Sequence, residues 1–235
     1  MRRIVFIPFL ALALCITAQE PKPYFVAQQM PDAYQFIPAP PEQNDMRYAY
    51  DTAQYQWGKR MRNTPRGEKA RLDAEYSLER MSKIFSPIIG MEISQDNTPQ
   101  LWKLLQNTIA TAECVNDNAK TTYMRKRPYM VFNEPTLVPE DEEELRKNGS
   151  YPSGHTLLGW TTALVLVEID PDVANEIIKE GYEYGQSRVI AGYHWQSDVD
   201  MARLAASAAF ARIQTSRAYQ KQLRKAQREF FKKSR

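Results

Sequence analysis

The sequence is poor in cysteine and histidine and has no obvious group of metal ligands. Its 235 residues include two cysteines and two histidines. No combination of His, Cys and carboxylate residues has the spacing of a metal site, so we predict a protein that works without a metal or another cofactor. If Cys15 is removed with the N-terminus, the remaining Cys114 cannot form an intrachain disulfide, and packing must stabilise the fold.

The sequence also lacks an apolar run of about 20 residues, the length that a membrane-spanning helix needs. Its N-terminal apolar stretch, residues 4–16, is too short, follows two arginines and is succeeded by a small alanine, as in a cleavable signal peptide. We therefore predict a signal peptide over residues 1–18 and a periplasmic or secreted protein without a transmembrane anchor. A lipoprotein anchored through Cys15 is the less favoured alternative, because bulky Leu14 stands where a small residue is expected.

Positive charge is concentrated at the C-terminus. The formal net charge of the chain is +3, but residues 216–235 contain eight Lys or Arg and a single acid, Glu229. Without Arg2 and Arg3, the rest of the mature chain is near −6. A basic terminal helix could contact nucleic acid or an anionic membrane surface. Because aromatic residues are few there, we favour a solvated basic helix or tail and predict no nucleic acid as a specific partner.

Helix signals dominate the chain after a proline-rich start. Residues 19–43 cannot propagate a helix and are predicted to lie extended over the domain. Residues 44–215 form the predicted helical domain, in which Thr-Pro pairs are typical of helix starts. No alternating strand pattern or internal repeat occurs, so the predicted fold class is all-α, a compact single-domain helical bundle. The predicted helices span residues 45–61, 64–85, 98–123, 156–169, 172–189 and 195–215, with a loop region at 127–149.

Three short motifs contain the residues with chemical potential. Both histidines of the chain fall inside them, and their combined spacing would arise by chance on the order of 10⁻⁸ of the time. We therefore interpret the motifs as one site, whereas the neighbouring Arg125 and Lys126 are predicted to be ordinary solvated residues. The motifs are Lys120-x6-Arg127-Pro128, Pro152-Ser153-Gly154-His155 and Ser187-Arg188-x5-His194-x3-Asp198.

The second motif stands where a loop enters an apolar helix, which is typical of an anion site. Free backbone N–H groups and the positive end of the helix dipole point outward there. Gly154 allows an oxyanion to approach the backbone, and the hydroxyl of Ser153 adds a donor. Lys120, Arg127 and Arg188 supply three cations, and a tetrahedral dianion would satisfy all of them. Such a site would stabilise phosphoryl transfer directly.

The two histidines suit complementary roles in that chemistry. His194 and Asp198 are four residues apart, so the carboxylate can accept from Nδ1–H if the helix begins at or before the histidine. That contact would leave Nε2 free to attack phosphorus and would stabilise the cationic ring. His155 is then the natural general acid for the leaving group and the base that activates water.

The motifs closely resemble the signature of the phosphatidic acid phosphatase and vanadium haloperoxidase superfamily. The longer string from Gly149 to Thr156, GSYPSGHT, resembles the hallmark of bacterial class A non-specific acid phosphatases. The resemblance implies an all-helical fold, export to the periplasm, broad hydrolysis of phosphate monoesters at acidic pH, no metal and inhibition by vanadate. It also implies phosphate binding by five residues and a catalytic trio. The phosphate-binding residues would be Lys120, Arg127, Ser153, Gly154 and Arg188, and the trio would be the acid His155, the nucleophile His194 and its orienter Asp198.

Three alternatives stay open at this point. A vanadate-dependent haloperoxidase would use the same cations for bound vanadate, but an Asp four residues after the second histidine favours phosphohistidine chemistry. A membrane lipid phosphatase would need several apolar spans. A non-catalytic phosphate-binding protein would not need the histidines. Small-molecule phosphomonoesters are the predicted partners, and a homo-oligomer is left open.

Overall fold

The structure is a computed structural model that describes residues 20–234. The predicted signal peptide at 1–18, together with Cys15, lies outside the described residues. Every regular element among residues 20–234 is helical, which confirms the predicted all-α class. The first five α-helices are α1 (Met46–Met61), α2 (Pro65–Leu72), α3 (Leu78–Ile89), α4 (Pro99–Ala112) and α5 (Asp117–Tyr123). The other six are α6 (Pro128–Phe132), α7 (Glu142–Leu145), α8 (Gly154–Ile169), α9 (Ala174–Ala191), α10 (Gln196–Gln214) and α11 (Arg217–Lys233).

Short-range sequence features set most helix ends. The carboxylate of Asp45 accepts from the N–H of Arg47 at 2.8 Å and caps α1, and proline at the first position opens α2 and α4. Gly90 and Gly192 end α3 and α9 with φ of 65° and 90°. Glycine adopts this left-handed conformation without steric cost, so both helices stop sharply.

Helix α8 is the centre of the core, and α9, α10 and α4 pack around it. Glycines let α8 and α9 approach each other closely. A Cβ on Gly181 would lie 2.6 Å from the Cβ of Ala163, and one on Gly159 would lie 2.3 Å from the ring of Tyr184. This close packing fixes the start of α8 relative to the end of α9, and the three predicted motifs stand near those ends.

Two predicted helices are interrupted in the structure. The helix predicted over 64–85 is two helices, because the chain breaks after Leu72 and restarts where the hydroxyl of Ser77 accepts from the N–H of Arg80 at 2.9 Å. The helix predicted over 98–123 contains a 3₁₀ turn, Glu113–Asn116, between α4 and α5. The predicted loop at 127–149 holds the short helices α6 and α7.

Both ends of the described chain are attached to the helical core. The proline-rich segment has two 3₁₀ turns, Ala27–Gln29 and Ala33–Gln35, and its Lys22 N–H donates to Asn107 at 2.7 Å. At the other end, α11 packs on α4, and its carboxylate Glu229 accepts from the first backbone N–H groups of α4. None of the helices within residues 20–234 is long and apolar enough to cross a membrane.

Candidate active site

His194 lies in the turn between α9 and α10, where two opposite contacts fix its tautomer. The ring Nδ1 is 3.3 Å from Asp198 Oδ2, and Nε2 is 3.0 Å from Nη1 of Arg127. A guanidinium group can only donate, so Nε2 must accept and carry a lone pair. The proton is therefore on Nδ1 and faces the carboxylate. This is the tautomer that a histidine nucleophile acting through Nε2 needs.

Asp198 reaches the ring by capping α10. The predicted condition, a helix that begins at or before His194, is not met, because α10 begins at Gln196. Asp198 is the third residue of the helix and turns back, so that its Oδ2 accepts from the N–H of Trp195 at 2.8 Å. The hydroxyl of Ser150 also donates to Oδ2 and lies 3.2 Å from Nδ1 of the histidine. The carboxylate is thus held rigidly beneath the ring.

Arg125 holds the other carboxylate oxygen, so the prediction that it is an ordinary solvated residue is wrong. Its Nη1 lies 2.6 Å from Asp198 Oδ1, and its Nη2 lies 2.7 Å from Asp51 Oδ2 on α1. Only 8% of the Arg125 side chain is exposed, and both carboxylates are fully buried. A buried carboxylate needs such a partner. The neighbouring Lys126 is exposed, as predicted.

Arg127 is buried beside His194 and is held by backbone carbonyls at the end of α7 and in the turn between α9 and α10. Its Nε donates to the carbonyl of Leu145 at 3.0 Å, and its Nη1 donates to the carbonyl of Tyr193 at 3.2 Å. Its Nη2 donates to the side-chain oxygen of Asn148 at 2.6 Å. Burial lowers the pKa of Arg127 to about 10, so the group stays charged at neutral pH.

Arg188 on α9 is fully buried and only partly satisfied. Its Nη1 is 3.4 Å from the carbonyl of Asp73, and its guanidinium lies 4.2 Å from the centre of the Tyr193 ring. Its Nε and Nη2 have no hydrogen-bond partner among the described residues. Unsatisfied buried donors on a cation are costly, so they indicate an anionic ligand.

Lys120, Ser153 and Gly154 lie around the start of α8. Nζ of Lys120 donates to the carbonyl of Gly149 at 3.0 Å, and burial together with the Arg127 charge lowers its pKa to about 7. The hydroxyl oxygen of Ser153 caps α8 by accepting from the N–H and the hydroxyl of Thr156, which leaves its own proton available. A Cβ on Gly154 would meet nothing within 4 Å, so open space lies over this part of the backbone. Lys120 and Gly154 line the same cavity of about 260 Å³.

His155 is the second residue of α8 and has one nitrogen anchored. The carbonyl of Ala74 is 2.9 Å from Nε2 and can only accept, so Nε2 carries a proton and Nδ1 carries the lone pair of the neutral ring. Burial and the charge of Arg188 lower the pKa of His155 well below its ordinary value. The ring also lines a second cavity of about 620 Å³.

Electrostatics couple these residues into one site. Burial and the Arg127 charge lower the pKa of His194 to about 3, against the opposing effect of Asp198. Burial alone would raise the pKa of Asp198, but the Arg125 charge and the contact with His194 outweigh it and hold that pKa well below its usual range. His194 is therefore neutral, and Asp198 is ionised, across the physiological range. The residues of 20–234 contain no cluster of His, Cys, Asp and Glu that could hold a metal ion.

Sequence reasoning missed three residues that hold His194, Asp198 or the arginines beside them. Ser150 lies inside the GSYPSGHT string and could have been found there. Asp51 has no local signal, because its contact to Arg125 joins residues 74 positions apart. Asn148, which positions Arg127, lies in a segment predicted only as a loop.

Comparisons with known proteins show the family of the chain. The PAP2 superfamily model matches residues 101–221. A non-specific acid phosphatase of Salmonella typhimurium is 42% identical over 229 residues, covering 97% of this chain and 92% of the relative. A non-specific acid phosphatase of Providencia stuartii is 45% identical over 210 residues, covering 89% and 85%. An acid phosphatase of Zymomonas mobilis is 31% identical over 201 residues, covering 86% and 76%.

Proposed function

The chain belongs to the PAP2 superfamily and is an acid phosphatase, and we propose that it hydrolyses a broad range of phosphate monoesters through a phosphohistidine intermediate on His194. The observation that carries the proposal is the neutral ring of His194, whose Nε2 lone pair faces a buried cluster of cations. Arg188 in that cluster has two donors without a protein partner. A phosphate dianion would satisfy these donors, and its phosphorus would come within reach of Nε2.

The first chemical step transfers the phosphoryl group to the enzyme. Nε2 of His194 forms the bond to phosphorus while the bond from phosphorus to the ester oxygen breaks, and the leaving oxygen takes the proton from Nδ1 of His155. Nη1 of Arg127 must release Nε2 when substrate binds, and it then donates to a phosphate oxygen. Asp198 stabilises the cationic phosphohistidine ring through Nδ1–H.

The second step returns the enzyme to its starting state. His155, now neutral, takes a proton from water through Nδ1, and the oxygen of that water attacks phosphorus as the bond to Nε2 breaks. Burial and the Arg188 charge lower the pKa of His155 in the free enzyme. A bound phosphate dianion must therefore offset the cations before His155 can hold the proton that it donates.

We expect activity to be independent of divalent metals. Three cations already supply the charge that a metal would supply to the phosphoryl oxygens. Hydrolysis of p-nitrophenyl phosphate should be unchanged after exhaustive dialysis against EDTA and should be inhibited by vanadate, which mimics the pentacoordinate phosphorus. Activity that is lost with EDTA and restored by Zn²⁺ or Mg²⁺ would contradict metal independence, and bromide oxidation with vanadate and peroxide would favour a haloperoxidase.

The pH profile of kcat/KM should be a bell centred below neutrality. Its acid limb reports protonation of the free enzyme, and His194, with a pKa of about 3, loses its nucleophilic lone pair only near that pH. Its basic limb should lie at or below pH 7, because the free enzyme loses the proton of His155 below the ordinary histidine value and the charge of Lys120 near pH 7. Activity should therefore persist as pH falls through 6.5, the ordinary histidine value. After correction for substrate ionisation, an acid limb near 6.5 or an optimum above neutrality would contradict these assignments.

We also propose that the enzyme acts in the periplasm or outside the cell, after removal of residues 1–18. The support is the charged and apolar pattern of that segment. Mass spectrometry of the protein recovered from the periplasm of an expressing bacterium should give a mature N-terminus at Gln19. A retained N-terminus, or a lipid on Cys15, would overturn cleavage after Ala18.

A further inference from the structure

The cavity beside His155 has a distinctive wall. It has a volume of about 620 Å³ and opens next to the ring that the proposed function makes the general acid. Tyr76 lines both this cavity and the one beside Lys120 and Gly154, so the two spaces are neighbours. Because the acid must lie against the ester oxygen that departs, the group attached to that oxygen passes beside the His155 ring and can reach this space. We refer to the space as the leaving-group cavity. Its lining residues are Arg71, Leu72, Ala74, Glu75, Tyr76, Val138, Glu140, Asp141, Glu144, Leu145 and His155.

The charge of the wall is mainly negative. Four carboxylates line the cavity against one cation, Arg71. That cation is already paired with Glu68 at 2.6 Å, and among the four carboxylates Glu144 is paired with Lys147 at 2.6 Å, in both cases on the exposed surface. Exposed ion pairs of this kind are weak. A second anionic group on a substrate would therefore meet repulsion here, in contrast to the phosphoryl group on the cationic side.

The remaining wall is apolar and partly aromatic. Leu72 and Tyr76 are each 45% exposed, so both present apolar surface to the cavity. The ring of Tyr76 lies 4.8 Å from that of His155 in an edge arrangement, and its hydroxyl donates to Glu113 at 2.6 Å. The aromatic wall is thus held in place beside the acid, where a flat leaving group could contact it.

We propose that the leaving-group cavity selects the substrate class: phosphate monoesters whose leaving group is uncharged or cationic and has an apolar or aromatic face. Esters with a second anionic group are disfavoured. The inference rests on the proposed function and adds to it the residues that discriminate. Glu140 and Glu144 carry the discrimination by charge, and Tyr76 carries the contact with an aromatic leaving group.

Two esters of the same shape test the charge. 4-Carbamoylphenyl phosphate and 4-carboxyphenyl phosphate differ in one anionic group on the leaving side. At low ionic strength, we expect kcat/KM of the wild type to favour the carbamoyl ester by about tenfold, and we expect added salt to reduce the ratio. In the double variant Glu140→Gln/Glu144→Gln, the ratio should fall toward one, because hydrolysis of the carboxy ester rises.

A matched control removes two carboxylates elsewhere. Asp172→Asn/Glu176→Gln makes the same change of charge at exposed positions outside the cavity, and it should leave the ratio as in the wild type. Equal hydrolysis of the two esters by the wild type, or a ratio that responds equally to both double variants, overturns the inference while the proposed function stands. Failure to hydrolyse either ester overturns both.

Variants of Tyr76 test the aromatic contact separately from the charge. Tyr76→Ala should lower kcat/KM for phenyl phosphate about tenfold more than for methyl phosphate, whereas Tyr76→Phe should keep the wild-type preference. A change in the orientation of His155 would instead lower hydrolysis of methyl phosphate at least as much as that of phenyl phosphate, because the alkoxide needs the proton more than the phenolate does. An unchanged ratio in Tyr76→Ala therefore refutes the role of this side chain in leaving-group selection.

Discussion

Arg188→Ala should lower kcat/KM by on the order of 10² or more. Two donors of this guanidinium are buried without a partner among the described residues. The free-energy cost of leaving them unsatisfied is offset only when an anion binds. The contacts strengthen as charge spreads over the phosphoryl oxygens in the transition state. Steady-state hydrolysis of p-nitrophenyl phosphate, together with inhibition by inorganic phosphate, measures both the catalytic and the binding loss.

Arg188→Lys separates charge from geometry. Lysine keeps the charge but lacks the planar pair of donors, so it should rescue activity poorly. Thermal unfolding of both variants controls for the lost contact with the Tyr193 ring. Wild-type turnover in Arg188→Lys would show that a bidentate contact to phosphate is absent. Arg127→Ala is a less clean test, because Arg127 also holds Leu145 and Asn148.

The fold class could be predicted because the responsible features are local. Helix caps such as Asp45 and first-turn prolines such as Pro99 act within one helical turn. The break between α2 and α3 could not be predicted in the same way. There, the buried carboxylate of Asp73 accepts from three side chains on three helices, and this tertiary arrangement overrides the helical pattern.

The same distinction explains what was found at the site. His194, Asp198 and the cations could be proposed as site residues because they stand at fixed spacing in short motifs. Arg125 was misjudged because its partners, Asp51 and Asp198, are 74 and 73 positions away. A long-range ion pair leaves no pattern in one sequence. The leaving-group cavity could not be predicted from the sequence either, since α2, α7 and α8 each contribute only one or two residues to its wall.

Trapping the phosphoenzyme should separate the roles of the two histidines. His194→Ala lacks the attacking nitrogen and should form no phosphoenzyme with any substrate, however good its leaving group. His155→Ala should still be phosphorylated by p-nitrophenyl phosphate, because p-nitrophenolate departs without a proton. The intermediate should then persist, because no base activates the water that hydrolyses it.

The chain makes the assignment of the label unambiguous. It has only two histidines, and trypsin separates them into peptides 148–179 and 189–203. After rapid quenching without acid, mass spectrometry of His155→Ala should show an added phosphoryl group on peptide 189–203. Asp198→Asn should form the intermediate slowly, since the ring loses the charge that stabilises its cationic form, while the cations that bind phosphate are retained. Label on peptide 148–179 in His194→Ala would exchange the two roles, and label on neither peptide would indicate direct attack by water and exclude the covalent mechanism.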